Sequence, residues 1–150
     1  LVLIKINAND FIDGGLVPEE SLRIAKRIEK MGIDAIEVSG GMYESGTKTA
    51  QPDILSIEQE AYFRKEASLF KKELKIPVII VGGIRSKNIA EDILQKGDAD
   101  LISLSRPLIR EPDLPNKFKK GKEKADCISC NGCMRFQKLD VVKCTQINKK

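Results

Sequence analysis

Apolar residues recur along this chain in two alternating rhythms. Short, nearly continuous runs, LVLIKIN (1–7), DAIEV (34–38), PVIIV (77–81) and DLISL (100–104), each stop at a small or polar residue. Between them the apolar positions take helical spacing: Leu22, Ala25, Ile28 and Met31, then Phe63, Ala67, Phe70 and Leu74, then Ile89, Ala90, Ile93 and Leu94. The runs read as strands buried on both faces, and the stripes as helices that cover them. Pro18 with Glu19 and Glu20 opens the first helix and Gly32 closes it. Ser56-Ile-Glu-Gln59 has the form of a capping box and is expected to open the second. Ser86 and Gly97 bracket the third, and Pro107 starts a fourth that breaks or restarts at Glu111-Pro112-Asp113. The order β-α-β-α-β-α-β-α predicts an α/β fold with a parallel sheet and right-handed crossovers.

Four such units make half of an eight-stranded (β/α)8 barrel, occupying residues 1–120, with a cysteine-rich tail over 121–150. Half a barrel has two open sheet edges and an exposed inner face. It is expected to need its missing N-terminal half, or a second copy of itself. The chain starts with Leu1 already inside a strand, so a fragment of a longer enzyme is expected.

The candidate chemistry sits at the ends of the last two strands. Gly82-Gly83 follows the Val78–Val81 run at once, where no Cβ bars the approach of a ligand. Ser105-Arg106 follows the next strand. Two neighbouring strand ends thus offer free amides, helix N-termini and one arginine, the makings of a phosphate site. Lys5 is costly in a buried strand unless it is paired, faces a ligand, or lies at a solvated strand end. The loop from Met42 to Leu55 is longer than most strand-to-helix connections and reads as a lid or substrate loop, or as a disordered insertion.

Composition changes this picture little. The 150 residues are 41% hydrophobic and 32% charged, ordinary for one domain with a core. The net charge of +4 gathers from Pro115 onward, where ten Lys/Arg stand against three acids. The tail has one aromatic after Phe118, Phe136, and so lacks a base-stacking platform; no nucleic-acid partner is expected. No apolar run is long enough for a membrane helix and no signal peptide opens the chain, so a cytoplasmic protein without a membrane partner is expected.

The four cysteines do change it. Cys127, Cys130 and Cys133 follow at x2 spacing, and Cys144 comes after ten intervening residues. Clustered thiols with no sign of secretion favour a metal over disulfides. The C-x2-C-x2-C run is typical of iron–sulfur ligation, and zinc accepts the same four ligands.

LIKINANDF, PVIIVGGIRS and DLISLSRPLIREPDL together resemble the fifth, seventh and eighth strands of the NADH:flavin oxidoreductase, or old yellow enzyme, family. CISCNGC with Cys144 resembles the tail of its branch that includes trimethylamine dehydrogenase and 2,4-dienoyl-CoA reductase. The resemblance implies the C-terminal half of an FMN-binding TIM barrel. It implies that Lys5 faces the flavin and stabilises its reduced anion, the one catalytic role it puts on this chain. Gly82 and Gly83 are implied to meet the FMN phosphate, and Ser105 and Arg106 to hold it, with Ser105 standing where the family has glycine. Cys127, Cys130, Cys133 and Cys144 are implied to bind a 4Fe-4S cluster, with zinc as the alternative.

The activity so implied is hydride transfer from NAD(P)H through the flavin to a small-molecule acceptor such as an activated alkene. The chain has no histidine, and neither Tyr43 nor Tyr62 matches the family's proton-donating tyrosine, so no proton donor is assigned. Two other readings fit the residues alone. One is a barrel acting on a phosphorylated metabolite. The other is a non-enzymatic metal-binding module with a basic tail.

Overall fold

A computed structural model describes residues 1–134 and 141–147; Phe136 lies outside them. Four strands form one parallel sheet in the order β1-β2-β3-β4: β1 Leu3–Asn7, β2 Ala35–Ser39, β3 Val78–Ile80 and β4 Leu101–Ile102. Helices follow the strands in turn: α1 Pro18–Lys30, α2 Arg64–Glu73, α3 Lys87–Gln95, and the short α4 Arg106–Arg110 and α5 Leu114–Lys119. Sequential, parallel and adjacent strands, each with its helix, are the repeating units of a (β/α)8 barrel.

The register sorts the side chains into two rows. Ile6, Val38, Ile80 and Ile102 pair across all four strands, and Ile4, Ile36 and Val78 across three. Val38, Ile80, Ile36 and Val78 are fully buried with Ala25, Ala67 and Phe70 of α1 and α2 in one core. The alternate row, Lys5, Glu37, Ile79 and Leu101, faces the other way. On that side Leu3 is 53% exposed and Leu101 52%. The open inner face and the two edge strands, β1 and β4, are what half a barrel predicts.

Two expectations about helix starts change. The capping box at Ser56 heads a 3-10 turn, Ile57–Gln59, instead of α2. Ala61 then takes a left-handed φ of 53°, and the Tyr62 amide donates to the Gly82 carbonyl at 3.2 Å. The chain leaves the helical path there because Tyr62 and Phe63 are drawn onto the Gly82-Gly83 turn, and α2 starts only at Arg64. Phe63, Ala67, Phe70 and Leu74 are nevertheless all buried, as their spacing predicts. Ser86 does precede α3, but its hydroxyl donates to Glu60 instead of accepting from the helix.

Candidate active site

One cavity of about 210 Å³ opens at the C-terminal ends of the strands and is lined by Lys5, Gly82, Gly83, Ser105 and Arg106. The structure therefore brings together all five residues that the sequence places at a cofactor. Ligand sites for drug-sized molecules usually run from about 300 Å³ upward. This one, at about 210 Å³, is smaller.

The Gly82-Gly83 turn is shaped by aromatic packing. Gly82 and Gly83 have φ of 126° and 70°. A Cβ on Gly83 would stand 2.6 Å from the Tyr62 ring, and one on Gly82 2.9 Å from Phe63. The two rings meet edge to face at 4.6 Å, and Phe63 stacks on Phe11. Glycine is therefore required twice over, by backbone conformation and by space.

The donors around the cavity suit an anion. Among the described residues, the backbone amides of Gly83, Ile84, Ser105 and Arg106 donate to no protein acceptor. Arg85 is buried and lines the same cavity; its Nη1 donates to the Ile54 carbonyl, while its Nε has no partner. A buried cationic side chain with an unmet donor beside four unmet amides is a cradle for negative charge.

The start of α3 is not free, contrary to the sequence reading of two available helix N-termini. Glu60 is buried, and its carboxylate accepts from the amides of Arg85 and Ser86, both at 2.8 Å, and from the Ser86 hydroxyl at 2.7 Å. It already supplies the anion that a helix N-terminus favours. No local motif marks Glu60, since its partners lie 25 and 26 residues away.

Lys5 lines the cavity but is not a lone cation. Its ammonium pairs with Glu37, its register neighbour on β2. The signal for this partner was a glutamate alone in the buried run AIEVS. Tyr62 stands beside Arg106; burial pushes its hydroxyl above its ordinary pKa while the guanidinium pulls the other way. Tyr43 is 96% exposed on a 3-10 turn, Tyr43–Lys48.

A second, smaller cavity adjoins the first and is lined by Cys127, Cys130, Cys133 and Cys144, with Arg106 and Ser129 shared between the two. All four thiols are free. Burial pushes the Cys133 thiol up, and the nearby Cys127 and Cys144 push the same way. The Arg110 guanidinium donates to Cys144 Sγ at 3.8 Å, and Gln146 Nε2 to Cys130 Sγ at 3.4 Å. Among the described residues no three His, Cys, Asp or Glu groups converge on one ion-sized point.

The tail reaches this position by pairing with the barrel. Lys124 bridges antiparallel to Ser86, and the Ala125 amide donates to the Arg85 carbonyl at 2.9 Å. The long loop lines the cavity through Thr49 and Ala50 and is tied to the tail. Ile54 is buried, the Asp53 amide donates to the Ser129 carbonyl, and the Ala50 carbonyl accepts from Asn131. The loop joins the two cavities.

Among the described residues no helix is long and apolar enough to cross a membrane.

Comparison with known proteins agrees with this geometry. The family model described as NADH:flavin oxidoreductase / NADH oxidase matches residues 2–125. An NADH oxidase of Thermoanaerobacter brockii is 37% identical over 150 residues, covering 96% of this chain and 22% of the relative. Among solved structures, a 2-naphthoyl-CoA reductase complex superposes with TM-score 0.72 at 28% identity, over 87% of this chain and 19% of that one. The old yellow enzyme homologue from Zymomonas mobilis superposes with TM-score 0.56 at 27% identity, over 84% and 33%. The chain thus spans about a fifth of the length of the first relatives it matches. Its sheet is part of a TIM-barrel flavoenzyme fold, and the chain belongs to the NADH:flavin oxidoreductase / NADH oxidase family.

Proposed function

We propose that these residues hold the phosphate end of FMN in an oxidoreductase that takes hydride from NAD(P)H and reduces a small-molecule acceptor such as an activated alkene. The observation that carries this reading is the ring of unmet amides of Gly83, Ile84, Ser105 and Arg106 around one cavity, in a chain of a flavin oxidoreductase family. When bound, FMN supplies the hydride relay between nucleotide and acceptor.

The chain's own residues do the rest. Gly82 and Gly83 let the backbone approach the phosphate, the amides of Gly83 and Ser105 donate to it, and Arg106 and Arg85 balance its charge. Serine in place of glycine at 105 leaves that amide available. Lys5, held by Glu37, presents a paired cation that stabilises negative charge on the ring less than a free one. A complementary half barrel, or a second copy of this chain, covers the inner face left by Leu3 and Leu101.

The tail from residue 121 is the second ligand-holding unit. Cys127, Cys130, Cys133 and Cys144 hold a 4Fe-4S cluster. Four thiols spread around a cavity, instead of meeting at a point, fit a cluster better than a single zinc ion. N–H groups of Arg110 and Gln146 directed at two sulfurs suit thiolates that carry negative charge. Free thiols fit a reducing compartment, the cytoplasm.

An absorbance spectrum of the anaerobically purified full-length protein, before and after dithionite, tests the proposal. Flavin bands that bleach over a broad iron–sulfur shoulder are expected. Flavin bands alone would move the cysteines to zinc or to no metal. A featureless spectrum that added FMN does not change would overturn the flavin reading and favour a phosphorylated metabolite.

A further inference from the structure

We infer that the cysteine loop and the anion cavity are one coupled unit, and that Asn131 is the positioning residue that couples them through Arg106. This rests on the FMN reading above. Arg106 is 8% exposed and borders both cavities. Its Nη1 is committed to the cysteine side. It donates to Asn131 Oδ1 and to the Gln51 carbonyl at 2.8 Å, and reaches the Ser129 carbonyl at 3.4 Å. The guanidinium expected to meet the phosphate is thus oriented by residues lying between the cysteines.

Those residues do not hold their conformation unaided. Ser129 separates Cys127 from Cys130, Asn131 separates Cys130 from Cys133, and both have a left-handed φ of 56°. Asparagine tolerates that region better than most residues, and serine less well. Arg106 pins the loop on one side. Asn131 Nδ2 donating to the Ala50 carbonyl at 2.7 Å, and the Asp53 amide donating to the Ser129 carbonyl at 3.0 Å, pin it on another. A metal centre on Cys127, Cys130 and Cys133 fixes the same backbone from within. Either ligand therefore orders the unit that the other needs, and the effect is reciprocal.

The test measures FMN and riboflavin affinity of the full-length protein by fluorescence quenching, with its metal retained and after removal by a strong chelator, with metal content followed by elemental analysis. Riboflavin lacks the phosphate, so Arg106 does not act on it. Removing metal is expected to weaken FMN about tenfold and riboflavin less than about twofold. Asn131→Ala is expected to weaken FMN about tenfold with metal in place, and further removal of metal to change nothing. Asn131→Asp keeps the acceptor for Arg106 but loses the donor to the Ala50 carbonyl, and is expected to restore the affinity in part.

Unchanged FMN affinity on metal removal overturns the inference, as does equal weakening of both flavins, which is general loosening. A protein that, as purified under anaerobic conditions, binds FMN but never holds stoichiometric metal also overturns it and leaves the FMN reading standing. Protein that holds metal but neither flavin refutes the FMN reading itself. The chelation arm needs no variant, so it decides even if Asn131→Ala fails to fold.

Discussion

The two cavities share a wall but are built by different forces. The anion cavity is backed by the hydrophobic core. Phe63 and Phe70 are buried, β2 and β3 beneath are fully buried on their helix side, and the glycine turn is pressed against Tyr62 and Phe63. The cysteine cavity is held by polar tethers: Arg106 to Asn131, Asp53 to Ser129, and Glu111 to the chain before Cys127. Its apolar residues do little, with Ile128 49% exposed and Met134 38%. Burial is non-directional and acts whether or not a ligand is bound, so the glycine-turn wall of the first cavity is preformed, and only Arg106 in it depends on the tethers. Hydrogen bonds and ion pairs contribute modest net energy, so on the proposed reading the second draws its order largely from its metal.

The largest effect that could break this comparison comes from the glycine turn. Gly83→Val places a β-branched side chain at φ 70° and drives it into the Tyr62 ring. The turn must open or the ring must leave. FMN affinity is expected to fall at least about 100-fold, and the thermal midpoint to drop by several degrees. Titration with FMN and a circular dichroism melt check both. Wild-type binding by this variant would show that the amide cradle is not where the phosphate sits.

Next in size is a cysteine. Cys130→Ser removes one of the four proposed metal ligands, and the metal content is expected to fall well below stoichiometric. If the comparison holds, the far-UV melting midpoint stays close to the wild-type value, because no core side chain is touched. A melt that collapses along with the metal would mean that the cysteine loop supports the barrel instead of resting on it.

The same contrast explains what the sequence made legible. The Val78–Val81 run, the glycine pair after it and the C-x2-C-x2-C spacing are local patterns, each readable within a few residues. Strand order follows from alternation alone. What stayed hidden is long-range and polar. Asn131 meets Ala50 across 81 residues, and Glu60 meets Ser86 across 26. Glu60 follows the Ser56–Gln59 box and belongs to no local motif, yet it caps α3. Arg64 and Lys71 lie off the apolar stripe of their helix, yet Arg64 pairs with Asp92 and Asp98, and Lys71 with Asp100. Hydrophobic period reports which face is buried; it carries no information on which polar groups meet once burial has placed them.

The smallest of these effects sharpens the comparison most, because it acts on a polar tether alone. The Glu111 side chain is 4% exposed. Its carboxylate accepts from Lys122 at 2.5 Å, from Lys117 at 3.3 Å, and from the Asp126 amide, the residue before Cys127, at 2.6 Å. Burial opposes its charge, but Lys122, the Asp126 amide and Lys117 outweigh burial and hold Glu111 below the usual carboxylate range. A carboxylate depressed in the folded state adds stability that is complete above the ordinary value of about 4.3. That stability is lost as pH falls through the folded value. Amide exchange at Asp126, corrected for its intrinsic pH dependence, is therefore expected to be slow at pH 7 and to quicken on acidification below about pH 4. Glu111→Gln keeps an acceptor oxygen but loses the charge. It is expected to exchange about tenfold faster at pH 7 and to lose the acid response. The amides of β3 and α3 decide what this means. If they keep their protection while Asp126 loses it, the tail is a tethered unit on a self-supporting barrel face. If they loosen together, tether and core belong to one cooperative unit, and the distinction between the two cavities fails.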